Sequence, residues 1–280
     1  MTHLITGASG QLGQLVIDHL ATLVNKDDII ALVRSDDAAK LYADKGIATR
    51  IGDYDKPETL APAFEGVNKL LLISSSAVGE RVRQHTAVIE AAKQAGVGYI
   101  AYTSILRAEE SPMALAAEHK ATETAIKASR IPYTLLRNGW YIENISGQTE
   151  QAVGMGKHFG AAGDGKFAAA TRADYAAAAA TVLAGSDHAG KTYELAGDTA
   201  FTLSDFADAV TAAKGTAVEY VNLPEDAYRS VLVDAGLPEG FAGVLADSDA
   251  RAADGWLFDD SHTLSQLIGR KTTPLADVLA

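Results

Sequence analysis

The stretch Met1-Thr2-His3-Leu4-Ile5-Thr6-Gly7-Ala8-Ser9-Gly10-Gln11-Leu12-Gly13 decides the fold. An apolar strand runs straight into glycines at positions 7, 10 and 13. The segment that begins at Gln11 then carries Leu12, Leu15, Val16, Leu20 and Leu23 on one face, the spacing of an amphipathic helix. Strand, glycine turn and helix in that order make the context a dinucleotide fingerprint requires. Gly7 allows the tight turn, Gly10 lets backbone approach a pyrophosphate, and Gly13 lets the helix pack against its strand. The expected cofactor turn is therefore Gly7, Ala8, Ser9, Gly10, Gln11, Leu12 and Gly13, with N–H groups at the helix start meeting the pyrophosphate charge.

Working outward, 280 residues at 48% hydrophobic composition suffice for a full core and a second, smaller lobe. A net charge of -12 with no basic cluster argues against nucleic acid as a partner. The absence of cysteine removes disulfides, thiolate metal sites and thiol nucleophiles. No apolar run reaches the roughly 18 residues of a membrane span, and Met1 leads into a strand without a basic leader. The expectation is a soluble, cytoplasmic protein with no membrane partner.

Strands are predicted at His3–Thr6, Ile29–Val33, Ala48–Ile51, Lys69–Ile73, Tyr99–Thr103 and Tyr133–Leu136. Helices fit between them at Gln11–Leu23, Asp37–Lys45, Pro57–Phe64, Gly79–Ala95 and Met113–Ser129. Repeated strand–helix units with wholly apolar strands imply an α/β fold, a doubly wound parallel sheet of Rossmann type. Beyond Arg137 the alternation fails. Asn138 to Asn144 opens a predicted helix, followed by a glycine-rich stretch from Gly154 to Gly165. An alanine-rich helix, Asp174–Leu183, and a strand, Thr192–Leu195, return to the sheet. The tail carries helical patterns at Asp205–Ala213, Glu225–Ala235 and Phe241–Ala250, with a strand at Val218–Val221. This gives a nucleotide-binding core at 1–137, completed by about 171–198, and a smaller α+β substrate lobe at 138–170 and 199–280.

Ligands of such sheets gather at the carboxyl ends of the strands. After the second strand stands Arg34, where NAD-selective folds place an acidic residue. A guanidinium there pairs with a 2′-phosphate, so the expected cofactor is NADPH, with NADH weaker; an ordinary surface arginine is the plainer reading. Asp53 after the third strand is placed to accept from an adenine amine, or else serves a turn before Pro57. Ser74, Ser75 and Ser76 after the fourth strand leave room for the inner ribose and nicotinamide, or cap the next helix. Gly160-Ala-Ala-Gly-Asp-Gly-Lys166 spells most of a phosphate loop, but Phe167 replaces the magnesium-binding hydroxyl, so a lobe turn is expected. No histidine pair has metal-ligand spacing, and no metal is expected. His119 is read either near the cleft or on a helix surface.

The runs ITGASGQLG (5–13), LLLISSS (70–76), IAYTS (100–104), YTLLRNGWYIEN (133–144), GAAGDGKFAAATRADYAAAAA (160–180), YELAGD (193–198) and LFDDSHTLSQLIG (257–269) bring a family into view. The chain resembles the NmrA-like branch of the atypical short-chain dehydrogenases over nearly its whole length, and within it the NADPH-dependent quinone reductases. The GxxGxxG spacing agrees with that branch. The resemblance implies a nicotinamide held near Asn138, Gly139, Trp140 and Tyr141, with quinone over its exposed face. The aromatic rings of Trp140 and Tyr141 suit stacking on a quinone, or pack the lobe core. Arg172, opening the alanine-rich helix, is a further substrate-side candidate.

Catalysis in that superfamily normally rests on Tyr-x-x-x-Lys, yet none of the ten tyrosines has a lysine four positions later. Lys120 falls where such a lysine belongs, with Ala116 at the tyrosine's place. Lys120 reads equally as a ribose ligand and as a solvated helix residue; it and Tyr141 are the catalytic candidates. Hydride delivery to a ketone makes a basic alkoxide, so a placed acid is worth about 10²–10⁴ in rate. A quinone instead gives an aromatic phenolate that water protonates. The expected function is therefore reduction of quinones to hydroquinones by direct hydride transfer. The alternative is an NADP-binding redox sensor of NmrA type without turnover; a ketone reductase or isomerase with an unrecognised acid is less favoured.

Overall fold

The computed structural model describes all residues, 1–280. Inside its main sheet lies β1 (His3–Ile5), three buried residues, paired in parallel with β2 (Ile29–Val33) on one side and β4 (Lys69–Leu72) on the other. Strands buried along most of their length, as these are, need helices covering both faces of a parallel sheet. With β3 (Ala48–Ile51), β5 (Tyr99–Ile105), β6 (Tyr133–Asn138) and β8 (Thr192–Leu195) the sheet has seven strands in the order β3-β2-β1-β4-β5-β6-β8. The order reverses at β1 and β4, so the loops after these strands lie side by side at the switch point where ligands bind.

The covering helices include α1 (Gln11–Leu23), α2 (Asp36–Ala43), the single turn α3 (Leu60–Ala63), α4 (Arg81–Gln94) and α5 (Ala114–Ser129). α1 buries Leu12, Val16, Ile17 and Leu20; Leu15 is half-buried and Leu23, in the last turn, is exposed, so the buried stripe is narrower than the face expected from sequence and turns towards Ile17. The alanine run is α8 (Arg172–Ala184), packed closely along α1, with Ala176, Ala178, Ala179 and Ala180 buried. Small side chains there shorten the distance between helix backbones.

Polar strand ends are where the structure departs from the pattern. β5 runs on to Ile105 and β6 to Asn138, because Ser104 and Arg137 are buried and share the Glu123 carboxylate. Pro57–Phe64 is not one helix; a 3₁₀ turn at Pro57–Thr59 precedes α3. Asn138 ends a strand, and the expected helix begins only at Ile142.

The chain divides into two compact units, 1–105 with 118–137 and 172–193, and 106–117 with 138–171 and 194–280. The second unit contains α6 (Ile142–Ser146), α7 (Thr149–Met155), β7 (Lys157–Gly160), α9 (Leu203–Lys214), β9 (Glu219–Asn222), α10 (Glu225–Asp234) and α11 (Glu239–Ala253). Its β7 pairs in parallel with β9, Lys157 to Glu219 through Gly160 to Asn222. The glycine-rich stretch thus hides a strand. Gly156, at φ +64°, ends α7 in the left-handed conformation. Gly160 lies where a Cβ would come within 2.5 Å of Leu203. α9 opens with a capping box formed by Thr202 and Asp205. No helix is long and apolar enough to cross a membrane.

Candidate cofactor and substrate site

The turn after β1 is built from its own backbone. Gly7 sits at φ +58°, and the Gly10 N–H donates to the Gly7 carbonyl at 3.0 Å. The buried Tyr42 hydroxyl pins the turn by donating to the Ala8 carbonyl at 2.6 Å, and Gln14 Nε2 donates to the Ser9 carbonyl at 3.0 Å. Gly10 caps α1 with no side-chain partner for the first turn. The helix therefore presents N–H groups that nothing in its own ladder can satisfy, with their positive dipole end. A Cβ on Gly13 would stand 2.3 Å from the Gly7 carbonyl oxygen and 2.8 Å from the Ala8 Cα. The close approach that Gly13 permits is thus to the turn, not to the strand as its place in the motif suggested.

Across the switch point, side chains hold several backbone groups of the loop after β4. Thr6 Oγ1 accepts from the Ile73 N–H at 3.0 Å, and Thr103 Oγ1 accepts from the Ser74 N–H at 2.9 Å. His85 Nε2 accepts from the Ser75 N–H at 3.0 Å, while Arg81 Nε donates to the Ser75 carbonyl at 2.5 Å. Ser75 Oγ accepts from the Ala77 N–H at 3.1 Å. The serines do not cap α4, which follows Glu80 without any side-chain cap. Thr6 and Thr103 were visible as polar ends of apolar strands; His85 and Arg81 carried no sequence signal.

Arg34 is exposed at the end of β2, and its charge reaches Tyr54 and Asp55 at the neighbouring strand end. Asp53 spends one carboxylate oxygen on the Asp55 N–H at 3.1 Å, a local turn contact. Its backbone N–H donates to Thr59 Oγ1 at 3.0 Å.

On α5 an alanine stands four positions before Lys120, where the superfamily's acid would be. Ala116 is buried and Lys120 is exposed. Ser104 Oγ donates to Glu123 Oε1 at 2.6 Å, and Arg137 grips both oxygens of the same carboxylate at 2.9 and 2.7 Å. That hydroxyl is committed to a buried, bidentate ion pair. Tyr102 shares a 2.8 Å hydrogen bond with His119 Nδ1. Burial pushes the Tyr102 phenol up and the His119 imidazole down to about 3. His119 is therefore a buried, neutral imidazole and not a helix-surface residue. Burial also lifts Tyr42 and Tyr99 to about 12 and Tyr54 higher still.

In the second unit, Asn138 is buried with Oδ1 unpartnered and Nδ2 3.5 Å from the Tyr141 hydroxyl. The Gly139 N–H donates to the Leu195 carbonyl at 2.7 Å. Trp140 and Tyr141 are half-buried, neither sealed in the core nor fully exposed, and Tyr141 bridges to Ala170 before α6. Arg172, half-buried, opens α8 in the first unit. The loop that resembles a phosphate cradle has its donors occupied. The Ala161, Ala162 and Gly163 N–H groups go to Asp249 Oδ2, the Tyr220 hydroxyl and Asn222 Oδ1 at 3.1, 3.2 and 2.9 Å. No helix opens at its end; α8 begins only at Arg172.

A seven-stranded parallel sheet with a glycine turn at its switch point defines a Rossmann-type dinucleotide fold. The chain belongs to the NmrA-like family, whose model matches residues 2–276. It is 54% identical over 273 residues to quinone oxidoreductase 2 of Escherichia coli, covering 98% of this chain and 96% of that protein. The crystal structure of NADPH-dependent quinone oxidoreductase from E. coli complexed with NADPH superposes with a TM-score of 0.97 at 52% identity, covering 99% and 98% of the chains. The triphenylmethane reductase of Citrobacter sp. complexed with NADP(H) superposes with a TM-score of 0.94 at 39% identity, covering 99% of each chain.

Proposed function

We propose that this chain is an NADPH-dependent quinone reductase acting by direct hydride transfer. The observation that carries the reading is the uncapped start of α1 behind the Gly7–Gly13 turn, in a chain so similar to a quinone oxidoreductase. The residues fit a dinucleotide: the turn offers free donors for a pyrophosphate, and Asn138 Oδ1 is a buried acceptor in want of a donor such as a carboxamide. When bound, NADPH supplies the hydride.

The chain's own residues then bind, orient and select. The turn from Gly7 to Gly13, through Ala8, Ser9, Gly10, Gln11 and Leu12, takes the pyrophosphate. Arg34 takes the 2′-phosphate, the Ser74–Ser76 loop the inner ribose side, and Asn138 with Gly139 the nicotinamide. Asp53 keeps one carboxylate oxygen for the adenine amine. Trp140 and Tyr141 offer flat faces to a quinone ring, with Arg172 as a further substrate contact. Residues 1–137 with about 171–198 are the cofactor core in this reading, and the remainder the substrate lobe. We place the enzyme in the cytoplasm.

Proton delivery needs no side chain. A quinone that has accepted a hydride is a hydroquinone monoanion, and one proton from water completes the product. The buried Ala116, the committed Ser104 and the raised phenols suit that chemistry and no ketone reduction. Anaerobic mixing with NADPH and 1,4-benzoquinone, followed by cofactor absorbance, tests the proposal. Loss of NADPH matched by hydroquinone is expected. Tight NADP binding without turnover would instead establish the sensor.

A further inference from the structure

The geometry points to His85 as a positioning residue of the cofactor site: a neutral imidazole, protonated on Nδ1, that fixes the Ser75 peptide and with it the loop following β4. This rests on the reading that Ser74–Ser76 contact NADPH. Two independent bonds determine the tautomer. A backbone N–H can only donate, so the 3.0 Å contact from Ser75 requires a lone pair on His85 Nε2. On the other side, Thr122 Oγ1 lies 2.9 Å from the Glu118 carbonyl, which can only accept. The Thr122 hydroxyl hydrogen is thereby spent, and the 2.9 Å contact between His85 Nδ1 and Thr122 Oγ1 must be donated by the imidazole.

The ring is fully buried, edge-on to Tyr54 from the loop after β3 and to Tyr102 of β5. Arg81 is the charged neighbour on its own helix; Thr122, Glu118 and His119 face the cluster from α5. Burial, with the Arg81 charge, holds the imidazole down to about 4. A proton on Nε2 would turn the acceptor of the Ser75 N–H into a second donor.

Arg81 and His85 are four residues apart on α4, so they share one helix face. From that face Arg81 takes the Ser75 carbonyl and His85 its N–H. The two peptides flanking Ser75 are thus held by a single helical turn, so α4 fixes Ser75 while Thr6 and Thr103 hold the residues before it. An imidazole that merely filled the core would not need this register.

The test compares wild type with His85→Gln and His85→Leu. A glutamine Oε1 can stand where Nε2 stood and accept from Ser75; leucine offers no acceptor. His85→Leu should weaken NADPH about five- to tenfold, the scale of a buried donor left unpaired. The kcat at saturating cofactor should stay within about threefold of wild type, because the chemistry is untouched. His85→Gln should restore affinity to within about threefold. In ¹⁵N-histidine-labelled wild type, one imidazole should show a protonated Nδ1 and an unprotonated Nε2, and should not titrate across about pH 5–8. Leucine binding NADPH as tightly as wild type, or glutamine as weakly as leucine, overturns the proposal. So does a protonated Nε2, which decides the matter even if the leucine variant does not fold. Failure of wild type to bind NADPH would strike the reading of the site, whereas the nitrogen spectrum reports the tautomer without cofactor.

Discussion

Two glycine-rich segments of this chain look alike in sequence and behave oppositely. The turn at Gly7–Gly13 opens α1 and leaves its first N–H groups without a side-chain cap. The segment at Gly160–Gly165 spends its donors on Asp249, Tyr220 and Asn222, and no helix opens directly from it. Glycine only makes close approach possible. What creates an anion site is a set of unspent donors at a helix start.

Substitution in the first turn should give the largest effect. Gly13→Val places a side chain against the Gly7 carbonyl and the Ala8 Cα, which are backbone and cannot move aside. A cost of about 3 kcal/mol or more is expected, with NADPH binding abolished by titration calorimetry. Gly163→Ala in the second segment meets no atom and pays only for its φ of +52°. A loss of about 1–2 kcal/mol is expected there, with NADPH affinity unchanged. Equal loss of cofactor binding in both variants would break the comparison.

Next in size is Arg34→Ala. Losing a charge-assisted contact to the 2′-phosphate should weaken NADPH by roughly 1.5–3 kcal/mol and leave NADH nearly unaffected. Equal effects on the two cofactors in parallel titrations would remove Arg34 from the phosphate site.

Asp249 sharpens the other side of the comparison. Burial lifts its carboxyl to about 7, above the ordinary aspartate value of about 3.9. Between these values the folded chain keeps the proton and the unfolded chain releases it. The contribution to stability is therefore full below about pH 4 and is lost as pH rises towards 7. Asp249→Asn still offers an acceptor to the Ala161 N–H but cannot ionise. Its denaturation midpoint should vary less across that window, with a gain of about 1 kcal/mol or more at about pH 8. NADPH affinity should not change. A variant as pH-sensitive as wild type would locate the titration elsewhere.

The legibility of the chain follows the same division. In the first unit, apolar strands and amphipathic helices alternate, and α1, β2, β3 and β8 fall at their expected bounds. Errors cluster where polar residues are buried, as with Ser104 and Arg137 around Glu123, because pattern reading counts polar residues as loop. In the second unit β7 was illegible: Gly160 in a four-residue strand reads as turn, and its pairing with β9 bridges some sixty intervening residues that no local period records. At the site, the glycine turn was plain. The clamp on Ser75 was not, since His85 and Thr122 sit on different helices and only the fold joins them.

Smaller effects separate binding from chemistry. Tyr141→Ala should raise the quinone KM through a loss of roughly 0.5–1.5 kcal/mol of stacking, with kcat little changed. Lys120→Ala should lower NADPH affinity modestly and leave quinone kcat within a few-fold, since Ala116 stands where the tyrosine of a Tyr-x-x-x-Lys pair would be. Collapse of kcat on losing Lys120 would reveal a proton donor that neither Ala116 nor Ser104 explains.

The central claim is that this chain keeps a nicotinamide site while lacking a placed acid. It is tested most directly by steady-state assays of wild type with NADPH against a paired quinone and simple ketone. The account predicts rapid reduction of 1,4-benzoquinone and negligible reduction of the ketone, with the purified protein colourless and insensitive to EDTA. Robust ketone turnover, or a bound chromophore required for quinone reduction, would contradict it.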